Sequence, residues 1–125
     1  MIGLGLLEMI DDADIVQGAD PDDADGDGIS GRVQRVWDKD ADKPALGRFG
    51  WKAGDPTVRQ QSGHAFAADI GLSNPIVRAH WGDSTAAQTA CRNAPDGGTT
   101  PDADNPTADG MEASEKILAL VTFYA

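Results

Sequence analysis

The chain has a single cysteine, Cys91, among its 125 residues. One thiol permits no internal disulfide and no cysteine-rich zinc cluster. Aromatic side chains are few, and three of the seven are tryptophan, so the core must rely on small residues such as Ala and Gly. There is no apolar run of about 18 residues, which excludes a membrane-spanning helix. Bases are outnumbered, 10 Lys and Arg against 21 acids, for a net charge of −11. That balance argues against nucleic acid and against anionic membrane surfaces, since both demand clustered Lys and Arg. Met1–Ile10 is apolar, but Gly3 and Gly5 interrupt it, no base precedes it and acids follow. It does not read as a signal peptide. A nucleophile motif such as G-x-S-x-G is absent, and closeness in sequence alone does not make Ser62, His64 and Asp69 a triad. The length suits one domain or part of one.

What the chain does have is a run of aspartate. Ala19–Arg32 reads ADPDDADGDGISGR, with Asp23, Asp25 and Asp27 alternating and Gly28 directly after them. This is the D-x-D-x-D-G opening of a calcium loop, in which alternate carboxylates turn onto one hard cation. Glycine is needed where the chain turns sharply, at a geometry a β-carbon resists. The pattern makes Asp23, Asp25, Asp27 and the Ile29 carbonyl the expected ligands. An EF-hand closes with a bidentate Glu, but Gln34 stands at that position, so Asp20 or Asp22 is the expected replacement. No obvious amphipathic helices flank the loop closely, so it is read as EF-like rather than as a helix–loop–helix hand. The alternative is an ordinary acidic turn, since Asp and Gly both favour turns. Charge favours the cation: residues 1–31 hold nine acids and no Lys or Arg, and such a cluster repels itself in a compact fold. Flexible multi-carboxylate loops suit calcium better than magnesium.

Taken in order, residues 1–18 suggest short helices. Leu4, Leu6, Leu7 and Ile10 suit one face packed inward, and Ile15 and Val16 offer a second small contact. Residues 19–32 are the acidic loop. Residues 33–54 suggest a small hairpin: Val33, Val36 and Trp37 on one strand, Asp38–Pro44 as the turn, and Ala45–Lys52 returning. Residues 55–92 read as helical. Asp55-Pro56 offers an N-cap and a first-position proline for a helix over about 57–70, with Val58, Ala65, Phe66 and Ile70 near one face. Gly71 would stop that helix in a left-handed cap, and Ser84–Arg92 suggests another short helix. Residues 93–109 form a Pro/Gly/Asp/Thr-rich linker loop. The last helix, within 110–125, would take Asp109 as cap and Glu112 as its capping-box partner. Ile117, Leu118, Val121 and Tyr124 would line one face, and Glu112 would pair with Lys116. The expected class is mainly α with a small β-hairpin and much irregular chain. The abrupt end at Phe-Tyr-Ala suggests a piece of something larger.

Three stretches carry a resemblance: GLLEMIDDADIVQGADPDDADGDGISGR, then LGRFGWKAGDPTVRQQ, then AFAADIGLSNP. They resemble the central segment of the bacterial di-haem, c-type cytochrome oxidoreductases, a peroxidase-like or thiol-oxidoreductase-like family. The likeness is close over about 3–74 and looser over 84–124, where GDSTAAQTACRNAP and the closing helix are similar. DGDGISGR followed by LGRFGWKA is specific; either alone would be weak. The resemblance implies an exported, periplasmic protein, a fragment of a cytochrome c-like multi-domain chain, with haem c held through C-x-x-C-H motifs on flanking domains. No such motif occurs here, so this chain alone attaches no haem c covalently and is not expected to be catalytic. Relatives tend to have a second cysteine near Ser84; with serine there, Cys91 is expected to be a free, half-buried thiol.

Arg48 and Trp51 in LGRFGWKA are the candidate haem contacts. Arg48 could bind haem propionates, and Trp51 could pack on a porphyrin edge or stand between redox centres. The alternative is structural: Phe49 and Trp51 as hairpin core, with Arg48 and Lys52 answering nearby aspartates. His64 and His80 could be distal haem ligands, or surface and packing histidines. Two functions follow. One is a calcium-stabilised segment of an exported di-haem oxidoreductase serving electron transfer and peroxidase-like chemistry. The other is a free-standing calcium-binding module without catalysis.

Overall fold

Asp11 begins the first capped element. Its carboxylate accepts the Ala13 N–H at 2.8 Å, and helix α2 follows over Asp12–Gln17, the role a short acidic side chain plays at an N-cap. Helix α1, Leu4–Glu8, precedes it. The computed structural model describes residues 2–98 and 110–125. Five helices and one antiparallel hairpin stand among these residues with much irregular chain between them, so the protein is mainly helical with a small hairpin. The chain divides into two units, Met1–Val58 with Ala125, and Arg59–Tyr124.

In the first unit, strands β1 (Arg35–Asp38) and β2 (Lys43–Leu46) pair antiparallel, with Val36 opposite Ala45 and Trp37 opposite Pro44. Pro44 is tolerated because each strand of a two-stranded sheet has a free edge. The turn is tighter than the sequence suggests. Asp38 Oδ1 accepts the N–H groups of Asp40 (3.0 Å) and Ala41 (2.9 Å), which brings the return strand forward to Lys43. After Leu46 the backbone of Phe49 pairs both ways with Asp55, at 2.9 and 3.1 Å. Leu46, Phe49 and Val58 are the buried apolar side chains of this unit.

Asp55 makes that bridge through its backbone, and helix α3 runs over Val58–Ile70, matching the expected span of about 57–70. The Val58 N–H is met by Glu8 Oε2 at 3.1 Å, a carboxylate at a helix N-terminus where the dipole favours it. Helix α1 buries none of its residues, contrary to the inward face expected of Leu4, Leu6 and Leu7. Five residues make little more than one turn, too short for a continuous stripe.

In the second unit, Asn74 is the hub. Fully buried, it donates from Nδ2 to the carbonyls of Gly63 (2.8 Å) and Leu72 (3.2 Å), and its Oδ1 accepts from Ile76 and Val77 at 3.0 and 3.1 Å. That satisfies the full capacity of an amide side chain. Gly63 has no room for a side chain: an added Cβ would lie 2.6 Å from Ile76 Cβ. Gly71 ends α3 at φ +72°, as the sequence suggests. Of the expected α3 face, Val58 is buried but Ile70 is 61% exposed, and Ala67 is buried instead.

Helix α4 covers only Thr89–Arg92, because the Thr85 N–H and hydroxyl are taken by the Gln88 side chain just before it. Residues 93–98 are irregular apart from turns, while 99–109, with the expected cap Asp109, lie outside the described residues. Helix α5 runs Glu115–Tyr124, five residues beyond the start expected from a cap at Asp109. Ser114 Oγ accepts the Ile117 N–H at 3.4 Å, so Ser114 acts as the cap. The Glu112 carboxylate accepts from Ser73 N–H, Ser73 Oγ and Gly97 N–H instead. Glu115, not Glu112, makes the ion pair, a two-pronged one with Arg59 at 2.9 Å on each prong. Leu118 is fully buried, whereas Tyr124 is 75% exposed.

Candidate functional site

The acidic loop is closed at its base by the Asp20 N–H donating to the Gly31 carbonyl at 2.9 Å. Within it the aspartates fold the backbone around themselves. Asp20 accepts from the Ala24 and Asp25 N–H groups (2.9 and 3.3 Å), Asp23 from Gly28 (3.1 Å), Asp25 from Asp27 (3.1 Å) and Asp27 from Ile29 (2.8 Å). Gly26 and Gly28 take positive φ, and so does Asp23, at 51°, which Asp tolerates better than most residues. The result brings one carboxylate oxygen from each of Asp20, Asp23 and Asp25 within 4.8 Å of the others. Two unit charges about 4 Å apart repel by about 1 kcal/mol in water. The Ala24 N–H is the main cause that holds the Asp20 pKa below the ordinary 3.8, partly offset by desolvation and reinforced by the Asp25 and Asp22 N–H groups. Asp20 thus stays ionised in this turn. The Asp27 carboxylate and Ile29 stand outside that grouping, and Ile29 is 70% exposed.

Beside the loop lies a cleft of ≈ 630 Å³, within the range of small-molecule and cofactor sites. Its apolar walls come from Leu7 of α1, Ile10 just after it, Ile15 of α2 and Leu46 of β2. Its basic groups are Arg32, Arg48 and Lys52. The first unit holds thirteen acids and six bases up to Val58; three of those bases line the cleft and none of the acids does. The chain's charge is segregated: acid in the loop, base around the cleft.

The turn Gly50–Ala53 forms the cleft's rim, with the Ala53 N–H bonded to the Gly50 carbonyl at 3.2 Å. It folds back onto Gly47, where any Cβ would fall 1.9 Å from the Ala53 carbonyl oxygen. The two residues at the tip are Trp51 and Lys52. Trp51 is 96% exposed while Phe49 is 4% exposed, so the hairpin-core reading holds for Phe49 and fails for Trp51. Arg48 does answer an aspartate: it pairs with Asp12 and donates to the Leu7 carbonyl at 3.0 Å. Arg32 donates to the Pro21 carbonyl at 2.9 Å.

In the second unit His80 packs edge-on to Trp81, with ring centroids 5.1 Å apart, and the Arg92 guanidinium lies over the Trp81 ring at 4.5 Å. His80 Nε2 is 3.2 Å from the Arg92 carbonyl; a carbonyl only accepts, so Nε2 carries the proton. Nδ1 lies 3.7 Å from Asp96. Cys91 is free, as expected, but exposed rather than half-buried, on a single-turn α4 with no buried residue.

Sequence reasoning found the acidic loop, Arg48 and Trp51. It gave no weight to Arg32 and little to Lys52, although Arg32 is the first base after the acidic run and marks where the charge changes sign. No helix among the described residues is long and apolar enough to cross a membrane. A family whose description reads "di-haem oxidoreductase, putative peroxidase" matches residues 1–125. No curated protein and no solved structure matches the chain.

Proposed function

The chain belongs to the di-haem oxidoreductase family, and from that premise we propose that it is a haem-supporting segment of an exported, peroxidase-like enzyme. Attachment of haem c through thioethers takes two cysteines, and this chain has one, exposed and far in sequence from the cleft. Covalent attachment therefore does not fit these residues. Contact with a haem carried by a flanking domain of the parent protein does fit the cleft. It has the volume of a cofactor site, an apolar lining, a basic rim and a bare indole at its mouth.

The single observation that carries this reading is Trp51, almost entirely exposed at the edge of an apolar cleft. An exposed aromatic continuous with an apolar cleft extends one contiguous apolar surface, the kind that takes a ligand or a partner. Trp51 offers a flat face, and Arg48 holds the opposite wall by tying Leu7 and Asp12 to the turn. Haem supplies the redox chemistry when bound. This chain's residues exclude water from one side of it and set the local charge.

The acidic loop belongs to the same proposal as a calcium site. Asp20, Asp23 and Asp25 are the converging carboxylates, with Asp27 and the Ile29 carbonyl completing the set predicted from the D-x-D-x-D-G pattern. A cation there relieves the repulsion among the loop carboxylates and steadies the base of the cleft, since Gly31 and Arg32 belong to both. Electron transfer within the parent enzyme and a periplasmic location rest on the family resemblance.

The test is to express the full gene product with its native leader in a host that matures c-type cytochromes. Expected are two haems per polypeptide by pyridine haemochrome, recovery in the periplasmic fraction, and peroxide-dependent oxidation of a reduced dye. A product without haem would overturn the proposal.

A further inference from the structure

We infer that Lys52 is the cleft's carboxylate-binding residue, receiving an acidic side arm of a planar tetrapyrrole whose ring lies against Trp51. This rests on the haem-contact reading above and deepens it, naming the contact and the chemical group it takes.

Of the three cleft bases, Arg48 is already answered. Its side chain is 10% exposed, and its guanidinium is shared between the Asp12 carboxylate and the Leu7 carbonyl. Arg32 is anchored on the Pro21 carbonyl. Lys52 is exposed and has no ion pair or hydrogen bond among the described residues. Among the described residues Lys43 and Lys116 are unanswered as well, but neither lines the cleft, whose walls supply no acid.

Trp51 and Lys52 are the two tip residues of one turn, and that turn is pinned. Gly50 and Ala53 close it, and Gly47 lets it lie against the backbone beneath. The indole and the ammonium are thus presented together from a fixed base. A flat apolar body with carboxylate arms meets both at once: stacking on the indole, ion pairing at the edge. Charge complementarity selects the same ligand, since the lining is apolar and basic with no acid in it.

The probe is iron(III) protoporphyrin IX, compared with its dimethyl ester, which has the same ring without free carboxylates. Quenching of tryptophan emission reports binding. Wild type is expected to bind the diacid about 1.5-fold to fivefold more tightly than the ester, the range for an exposed charge pair. Lys52→Gln is expected to bind both equally, and Trp51→Phe to weaken both together. Lys43→Gln, which removes the same charge away from the cleft, should keep the wild-type preference. A Lys52→Gln protein that retains the preference overturns the assignment to Lys52 while leaving haem contact standing. Failure of wild type to bind either porphyrin overturns both.

Discussion

Ser73 and Glu112 hold one another in both directions: Ser73 donates its N–H and hydroxyl to Glu112 Oε2 at 3.0 and 3.1 Å, and the Glu112 N–H donates to Ser73 Oγ at 3.0 Å. The neighbouring Ala113 N–H adds a bond to the Ser73 carbonyl at 2.9 Å. Ser73 is fully buried, so water cannot replace a lost partner. Ser73→Ala should cost about 1–3 kcal/mol, the penalty for stranding buried polar groups. A lower urea midpoint at unchanged m value is the expected result; an unaltered midpoint would contradict it.

Gly63 should resist a change that normally helps a helix. Alanine in place of glycine in a helix interior ordinarily gains roughly 0.5–1 kcal/mol. At Gly63 the new Cβ would meet Ile76 at 2.6 Å and Asn74 Oδ1 at 2.9 Å, so Gly63→Ala should lose about 1–3 kcal/mol by overpacking. Adding Ile76→Gly, which removes both the Cβ at 2.6 Å and the Cγ1 at 2.8 Å, should recover part of that loss, because the two sites share the contact. Equilibrium unfolding of the double-mutant cycle decides it.

The calcium reading predicts a conditional effect. Removing one carboxylate by Asp25→Ala should lower the melting temperature in calcium and leave it unchanged or slightly higher in excess chelator, where one source of repulsion is gone. At a hundredfold excess over Kd, a bound ion stabilises by about 2.7 kcal/mol. Equal losses in both conditions would sink the idea.

Asp20 gives a pH prediction. Its carboxyl is more acidic when folded than the ordinary 3.8, so below that pH the unfolded chain takes up the proton first. The stabilising contribution is complete above about pH 4 and is lost as pH falls through the folded value. Asp20→Asn should flatten the fall in stability on that acid side. Denaturant midpoints measured from neutral pH into acid would show it, and identical slopes for both proteins would refute it.

What could be read in advance was local. Asp-Gly turns, the Gly71 helix stop and the hairpin rest on residues within a few positions of each other, where backbone sterics and short hydrogen bonds decide. The start of α5 was not legible, because Glu112 reads as a capping-box residue but serves Ser73, 39 residues away. The acidic loop was legible as a pattern. The cleft was not, because no single stretch contains it: Leu7, Arg32, Arg48 and Lys52 meet only through the fold. Phe49 and Trp51 stand two residues apart in the sequence, and only the structure separates them, burying one and exposing the other.

The bond from Val58 to Glu8 has a direction in time. Glu8 leaves the ribosome 50 residues before Val58, so the side chain that meets the opening N–H of α3 is already synthesised when that helix emerges. Helix nucleation is the unfavourable step, and here a group waiting upstream can assist it. A chain synthesised with the same parts in permuted order would make the same contact but lose that head start.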